Sequence, residues 1–318
     1  MAYIAEGSYG CVLHDIPVNE KVIEVLPFNN QDDNKFVSKI YSNTVELQHE
    51  WENAKIIMNI DRKQKYFVYP FIKSSVATKE LTNRNLSALK CSVFLDPKKN
   101  KGTTIMLKMP FAGISLLSYF RHNPLNIKQL MTLLLPVFKG LSKLSKAHYV
   151  HQDIKVDNIM LDSKLTRIID FGSLIHFDDV FDKKKNHFLS SDNWLHPPEY
   201  LIDTRTSADF LKMLKIKIHE TDTFTLDEAI IPKFFTYDEY DKFFQFQNNK
   251  SPSKIDIYSL GISLVYLSQF MNYQGEDQII LSKYRAMIKK MIMPNVSKRA
   301  SPQVAYNMAL KILSPIIP

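Results

Sequence analysis

The chain has 318 residues, 45% hydrophobic and 23% charged, a balance that excludes disordered and fibrous classes and leaves room for one two-lobed unit or two domains. Its net charge of +8 favours acidic partners, but the lysines are scattered, so the basic surface reads as solvated and not as a nucleic-acid site. Two cysteines, Cys11 and Cys91, are too few for a disulfide framework or a zinc site and fit a reducing compartment, and neither a signal peptide nor a membrane-length apolar run is visible.

In chain order, residues 3–13 read as strand, glycine turn, strand, with Gly7 and Gly10 flanking the turn. Glycines let a backbone approach phosphate closely and leave N–H groups to bind it, although an ordinary hairpin has the same local look. Residues 19–34 are polar and read as an extended loop. Residues 35–41 alternate as a strand with Lys39 at the centre. A helix is expected over 44–59, where Leu47, Trp51, Ala54, Ile57 and Met58 make an apolar stripe beside Glu46, Glu50 and Glu52. Residues 64–74 read as a strand, 76–85 as a loop or short insertion, and 88–95 and 103–109 as strands around a basic turn. Met109-Pro110-Phe111-Ala112-Gly113 then ends the strand in a turn, and 125–147 is a long helix with Leu130, Leu134, Val137, Leu141 and Leu144 on its apolar face.

The centre of the chain carries His151-Gln152-Asp153-Ile154-Lys155-Val156-Asp157-Asn158 between apolar strands, followed by Asp170-Phe171-Gly172. Any one of these side chains could be closing an Asx-turn; the ordered set at fixed offsets carries more. Further on come His196-Pro197-Pro198-Glu199, then Lys254-Ile255-Asp256-Ile257-Tyr258-Ser259-Leu260-Gly261, then Ser297-Lys298-Arg299-Ala300-Ser301. This order resembles the eukaryotic-type protein kinases, with their H-R-D-x-x-x-x-N loop, D-F-G, G-x-G-x-x-G-x-V turn and V-A-I-K strand.

The resemblance covers essentially the whole chain and implies roles. Asp153 would orient the acceptor hydroxyl and take its proton, and Lys155 would balance the moving γ-phosphate. Asn158 and Asp170 would hold Mg2+. ATP would lie against Ala5, Gly7, Gly10 and Val12 of the glycine turn and against Lys39 on its strand. Glu50 is favoured over Glu46 and Glu52 as the partner of Lys39. Met109 and Phe111 belong to the linker that holds adenine. Asp256 would anchor the catalytic-loop backbone, and Arg299 would pair with Glu199 as a structural ion pair.

Three departures stand out. Gln152 replaces the arginine of H-R-D, so activity is expected without phosphorylation of the activation loop. Ala5 replaces the first glycine on a very short first strand, which puts ATP affinity in doubt. The span between Glu199 and Asp256 is long, with aromatic-rich 234–246, and is read as a packed helical insertion over about 203–252.

The expected fold is α+β: a small antiparallel-sheet lobe with one helix over 1–110 and a larger, mainly helical lobe over 111–318. ATP is expected in the cleft between the lobes. The expected activity is that of a serine/threonine protein kinase using ATP and Mg2+ on a protein substrate, because Asp-x-Lys-x-x-Asn is the serine/threonine form of the loop. Two other readings stay open. A small-molecule kinase lacks the Phe-Gly after the acid and the Glu199–Arg299 pair, and a pseudokinase scaffold typically loses Lys39, Asp153 or Asp170. A cytoplasmic or nuclear location is expected, with no membrane association, and the abundance of Lys, Asn and Ile fits an AT-rich genome such as that of a large DNA virus.

Overall fold

A computed structural model describes residues 3–7, 10–14, 20–27, 35–41, 44–84, 91, 102–163, 165–182, 184–186, 195–200, 250–275 and 277–314. The chain divides into two compact units, residues 1–113 with 169–173, and residues 114–168 with 174–318. Residues 201–249, which hold nearly all of the expected insertion including the aromatic-rich 234–246, lie outside the described residues, as do residues 88–95 apart from Cys91.

The first unit is built on a six-stranded antiparallel sheet. Its strands are β1 (Tyr3–Gly7), β2 (Gly10–His14), β3 (Lys21–Val25), β4 (Phe36–Tyr41), β5 (Ile72–Ala77) and β6 (Thr103–Pro110), in the order β1-β2-β4-β6-β5-β3. Helix α1 (Thr44–Ile60) buries Leu47, Trp51, Ala54 and Ile57 of the stripe that the sequence pattern predicts, while Met58 is only half-buried. A short helix, α2 (Thr78–Arg84), follows β5.

Three sequence expectations need correction here. Residues 19–34 are not all loop, because Lys21–Val25 forms an edge strand paired with β5. Val22, Ile23 and Val25 are half or more exposed, so no in–out alternation marks the strand, although β-branched residues favour it. The strand expected over 64–74 begins only at Ile72. Before it, the amides of Tyr66 and Phe67 donate to the Asp61 carboxylate at 2.6 and 3.1 Å, and Pro70 has no N–H to give a ladder. The apolar run is buried, but as irregular chain. The expected loop at 76–85 is the end of β5 and α2.

Cys11 and Cys91 also depart from expectation. They are joined as a disulfide within a fully buried cluster with Leu13, Ile40, Val76, Leu81 and Met106.

The second unit is mainly helical. Helix α3 (Leu116–His122) follows the short β7 (Ile114–Ser115). Next comes α4 (Ile127–Lys146), whose start is fixed by a reciprocal capping box between Asn126 and Gln129. Strands β8 (Tyr149–Val150), β9 (Ile159–Asp162), β10 (Leu165–Ile168) and β11 (Ile175–His176) form two small sheets, β10-β9-β7 and β11-β8, that frame the catalytic-type loop.

Helix α5 (Ile255–Leu267) is buried at every position. It packs on α6 (Gln278–Met291), and α7 (Pro302–Leu313) packs on α4 and α6. Gly261 is where α5 comes closest: a Cβ there would sit 2.6 Å from Ile292 Cγ2 and 2.9 Å from Met291 Cβ. Among the described residues no helix is long and apolar enough to cross a membrane.

Candidate active site

In the first unit the strand register lines up one row across the whole sheet. Ala5 lies opposite Val12, Val12 opposite Lys39, Lys39 opposite Leu107, Leu107 opposite Lys73, and Lys73 opposite Glu24. Directly opposed residues share a sheet face. Lys39 thus stands in the same row as the predicted phosphate-side residues Ala5 and Val12, and Gly7 pairs with Gly10 beside the turn.

The Lys39 ammonium donates to Glu50 Oε2 at 2.7 Å and to Asp170 Oδ1 at 2.9 Å. This decides among the three glutamates. Glu50 is buried, Glu52 is exposed and bonded to Gln48 and Lys55, and Glu46 is half-buried. Burial works against charge on Lys39, but the carboxylates of Asp170 and Glu50 outweigh it and hold the ammonium above its ordinary range. Burial raises Glu50, with Lys39 pulling it back toward the carboxylate form.

Asp170 has φ 68°, a left-handed backbone that Asp tolerates better than most residues. Phe171 next to it is buried, edge-on to Phe67, and its carbonyl accepts from Asn53 Nδ2 at 2.7 Å. Asn53 belongs to this site, and no motif in the sequence announced it. Met109 is buried near the end of β6, opposite Val37. Phe111 donates its N–H to Lys35 O at 2.9 Å, extending the β4–β6 ladder past Pro110. Its ring lies 5.5 Å from that of His14.

In the second unit the loop from His151 to Asn158 is organised around two acids. Asp256, at the start of α5, accepts the backbone N–H groups of His151 and Gln152 at 2.8 and 3.0 Å, the anchoring role the resemblance implied. Burial raises its pKa, with His151 and those two amides opposing. Asp153 Oδ2 receives Lys155 Nζ at 2.8 Å and Asn158 Nδ2 at 2.9 Å. Asn158 Nδ2 also donates to the Asp153 carbonyl at 2.9 Å, so both of these bonds use the amide nitrogen and neither uses Oδ1.

Gln152 is buried with φ 68°. Its Nε2 donates to Tyr200 Oη at 2.7 Å, while its carbonyl pairs with His196 Nε2 at 3.1 Å. The side chain that replaces the family's arginine is thus bonded to an uncharged tyrosine hydroxyl.

Both sets are hard-oxygen acids next to ammonium groups, suited to holding a polyphosphate and its divalent cation and to moving a hydroxyl proton. The two units have the make-up of the two lobes of the protein kinase fold. The pattern of the protein tyrosine and serine/threonine kinase family matches residues 35–209, just over half of the chain, and the chain belongs to that family.

Serine/threonine-protein kinase CLA4 of Candida albicans is 35% identical over 88 residues, 27% of this chain and 9% of that protein. Serine/threonine-protein kinase cst-1 of Caenorhabditis briggsae is 31% identical over 127 residues, 38% of this chain and 26% of that protein. Mitogen-activated protein kinase kinase kinase nsy-1 of Caenorhabditis elegans is 26% identical over 180 residues, 54% of this chain and 12% of that protein. The chain therefore spans about a quarter or less of the length of these relatives.

Proposed function

We propose that this kinase transfers the γ-phosphate of ATP to serine or threonine hydroxyls of a protein substrate. The observation that carries the reading is the pair of prepared sets. Lys39 is held between Glu50 and Asp170, and Asp153 is held between Lys155 and Asn158. Family members with lost chemistry are expected to lack one of these groups.

On this reading Lys39 binds the α- and β-phosphates, with Glu50 fixing its reach. Asp153 takes the proton of the acceptor hydroxyl as its oxygen attacks phosphorus and the bond to the β–γ bridging oxygen breaks, leaving ADP. Lys155, donating to the same carboxylate, is available to the transferred phosphoryl oxygens, and its position two residues after the base supports a serine or threonine acceptor. Asp170 and the Oδ1 of Asn158 are hard oxygen donors that fit Mg2+, which when bound neutralises phosphate charge.

The Gln152–Tyr200 bond supports activity without loop phosphorylation, because the position that would read a phosphate is filled by an uncharged, already satisfied amide.

The test is transfer of labelled γ-phosphate from Mg-ATP to casein, to a basic protein and to the enzyme itself, with Asp170→Asn alongside. Phosphoserine or phosphothreonine made only by the wild type is the expected result. Phosphotyrosine overturns the acceptor assignment. No transfer while ATP still binds moves the reading to a scaffold or a small-molecule kinase. Phosphatase pretreatment should leave the rate unchanged, and a large loss overturns the Gln152 part of the reading.

A further inference from the structure

We propose that β3 is a built-in strap that seats helix α1, and that Glu24 is a positioning residue acting on the Lys39–Glu50 pair. The proposal rests on the function given above for that pair.

Glu24 stands in the same cross-sheet row as Lys39, and this row meets α1 at three points. Lys39 reaches Glu50 at 2.7 Å, Lys73 reaches Gln48 at 2.6 Å, and Glu24 Oε2 accepts the indole N–H of Trp51 at 2.6 Å. Glu24 Oε1 also pairs with Lys55 at 2.9 Å, one turn further along the helix. Trp51 follows Glu50 directly in sequence and is fully buried, so its N–H needs a partner, and β3 supplies it.

The strap is anchored ahead of β3 as well. Glu20 takes Lys108 at 2.6 Å and Ser74 Oγ at 2.7 Å. Those two residues alternate with Leu107 and Lys73 along their strands and so belong to the opposite sheet face. The strap therefore grips the sheet edge from both sides.

What the strap lacks is a hydrophobic reason to be there. Val22, Ile23 and Val25 are 51%, 50% and 58% exposed, and only Leu26 at its end is buried. A strand without a buried face contributes little to the core. Its polar tips, however, fix the helix that carries Glu50. The β5 edge and α1 thus have a partner from their own chain where they would otherwise be open to one from outside.

The experiment compares wild type with Glu24→Ala and Glu24→Gln, each also in a Lys39→Met background. Nucleotide affinity, kcat and KM for ATP, thermal midpoint and amide hydrogen exchange over residues 44–60 are read. Glu24→Ala should weaken nucleotide affinity about tenfold, speed exchange in α1 and lower the midpoint modestly, as expected for one buried N–H left without its acceptor. Glu24→Gln keeps an oxygen for Trp51 and should recover most of the loss. In the Lys39→Met background Glu24→Ala should add nothing to the nucleotide defect, because coupled residues are not additive.

Unchanged exchange and affinity in Glu24→Ala overturn the proposal. An equal further loss in the Lys39→Met background also overturns it. The exchange readout needs no catalysis, so a wild type that transfers no phosphate would fail the functional reading while leaving the strap testable.

Discussion

Arg299 holds Glu199 through two N–H···O bonds, Nη1 to Oε1 at 2.6 Å and Nη2 to Oε2 at 2.9 Å, with both side chains fully buried. The guanidinium also donates from Nε to the Met293 carbonyl at 2.8 Å and lies 4.8 Å from the Tyr258 ring centroid. A fork of this kind is geometrically specific, and removing one partner strands the other charge away from water. Arg299→Met should therefore destabilise the protein by roughly 3–5 kcal/mol. Urea unfolding followed by circular dichroism checks this, and a midpoint equal to wild type would show that Glu199 is satisfied by other means.

Gln152 and Tyr200 are 48 positions apart and meet through one buried bond. Tyr200→Phe removes the acceptor and leaves the Gln152 amide facing a ring edge. A buried polar group without its partner costs about 1–3 kcal/mol, so the midpoint should fall by that amount. Gln152→Arg should cost more, since it places a charge among Tyr200, His196 and Asp256 without a phosphate to meet it. Equal stability of wild type and Tyr200→Phe, by the same unfolding measurement, would show that the Gln152–Tyr200 bond contributes nothing to stability.

Much of this arrangement was legible because chemistry fixed both residue type and offset. Lys39, Asp153, Asn158, Asp170, Asp256 and the Glu199–Arg299 pair can be read from order and spacing, and the apolar stripe of α1 from its helical period. Choosing Glu50 among three glutamates needed register, which a hydrophobic period leaves uncertain by a turn. β3 was missed because edge pairing uses backbone groups and here leaves the side chains exposed, so no alternation exists to be read. The run after Gln64 was misread because burial and strand look alike until Asp61 and Pro70 are seen to take or lack the amides.

The Cys11–Cys91 bond closes a loop with a sequence separation of 80 inside an apolar cluster. Restricting the unfolded chain in this way is typically worth about 2–4 kcal/mol. Oxidised wild type should unfold at higher denaturant than the same protein in reductant, and the difference should vanish in a Cys11→Ala, Cys91→Ala double variant. Intact mass after alkylation gives an independent check: two modified cysteines without prior reduction would show that the thiols are free.

Asp170 and Asp153 should separate binding from chemistry. Asp170 bonds to Lys39 and has φ 68°, so Asn is the right replacement, because it tolerates that backbone while removing the charge. Lys39 then keeps only Glu50 as a counter-charge, and a hard oxygen donor for the divalent ion becomes a neutral one. Asp170→Asn should lose magnesium-dependent nucleotide binding. Asp153 lies instead in the second unit's loop, its carboxylate held by Lys155 and Asn158. Asp153→Asn should bind Mg-ATP nearly as wild type does, yet lower phosphate transfer by about a hundred- to ten-thousand-fold, the usual range for a positioned base. Nucleotide titration with and without magnesium, set beside single-turnover transfer, reads both variants. Equal metal-dependent affinity in wild type and Asp170→Asn would refute the metal role, and transfer at the wild-type rate by Asp153→Asn would refute the base.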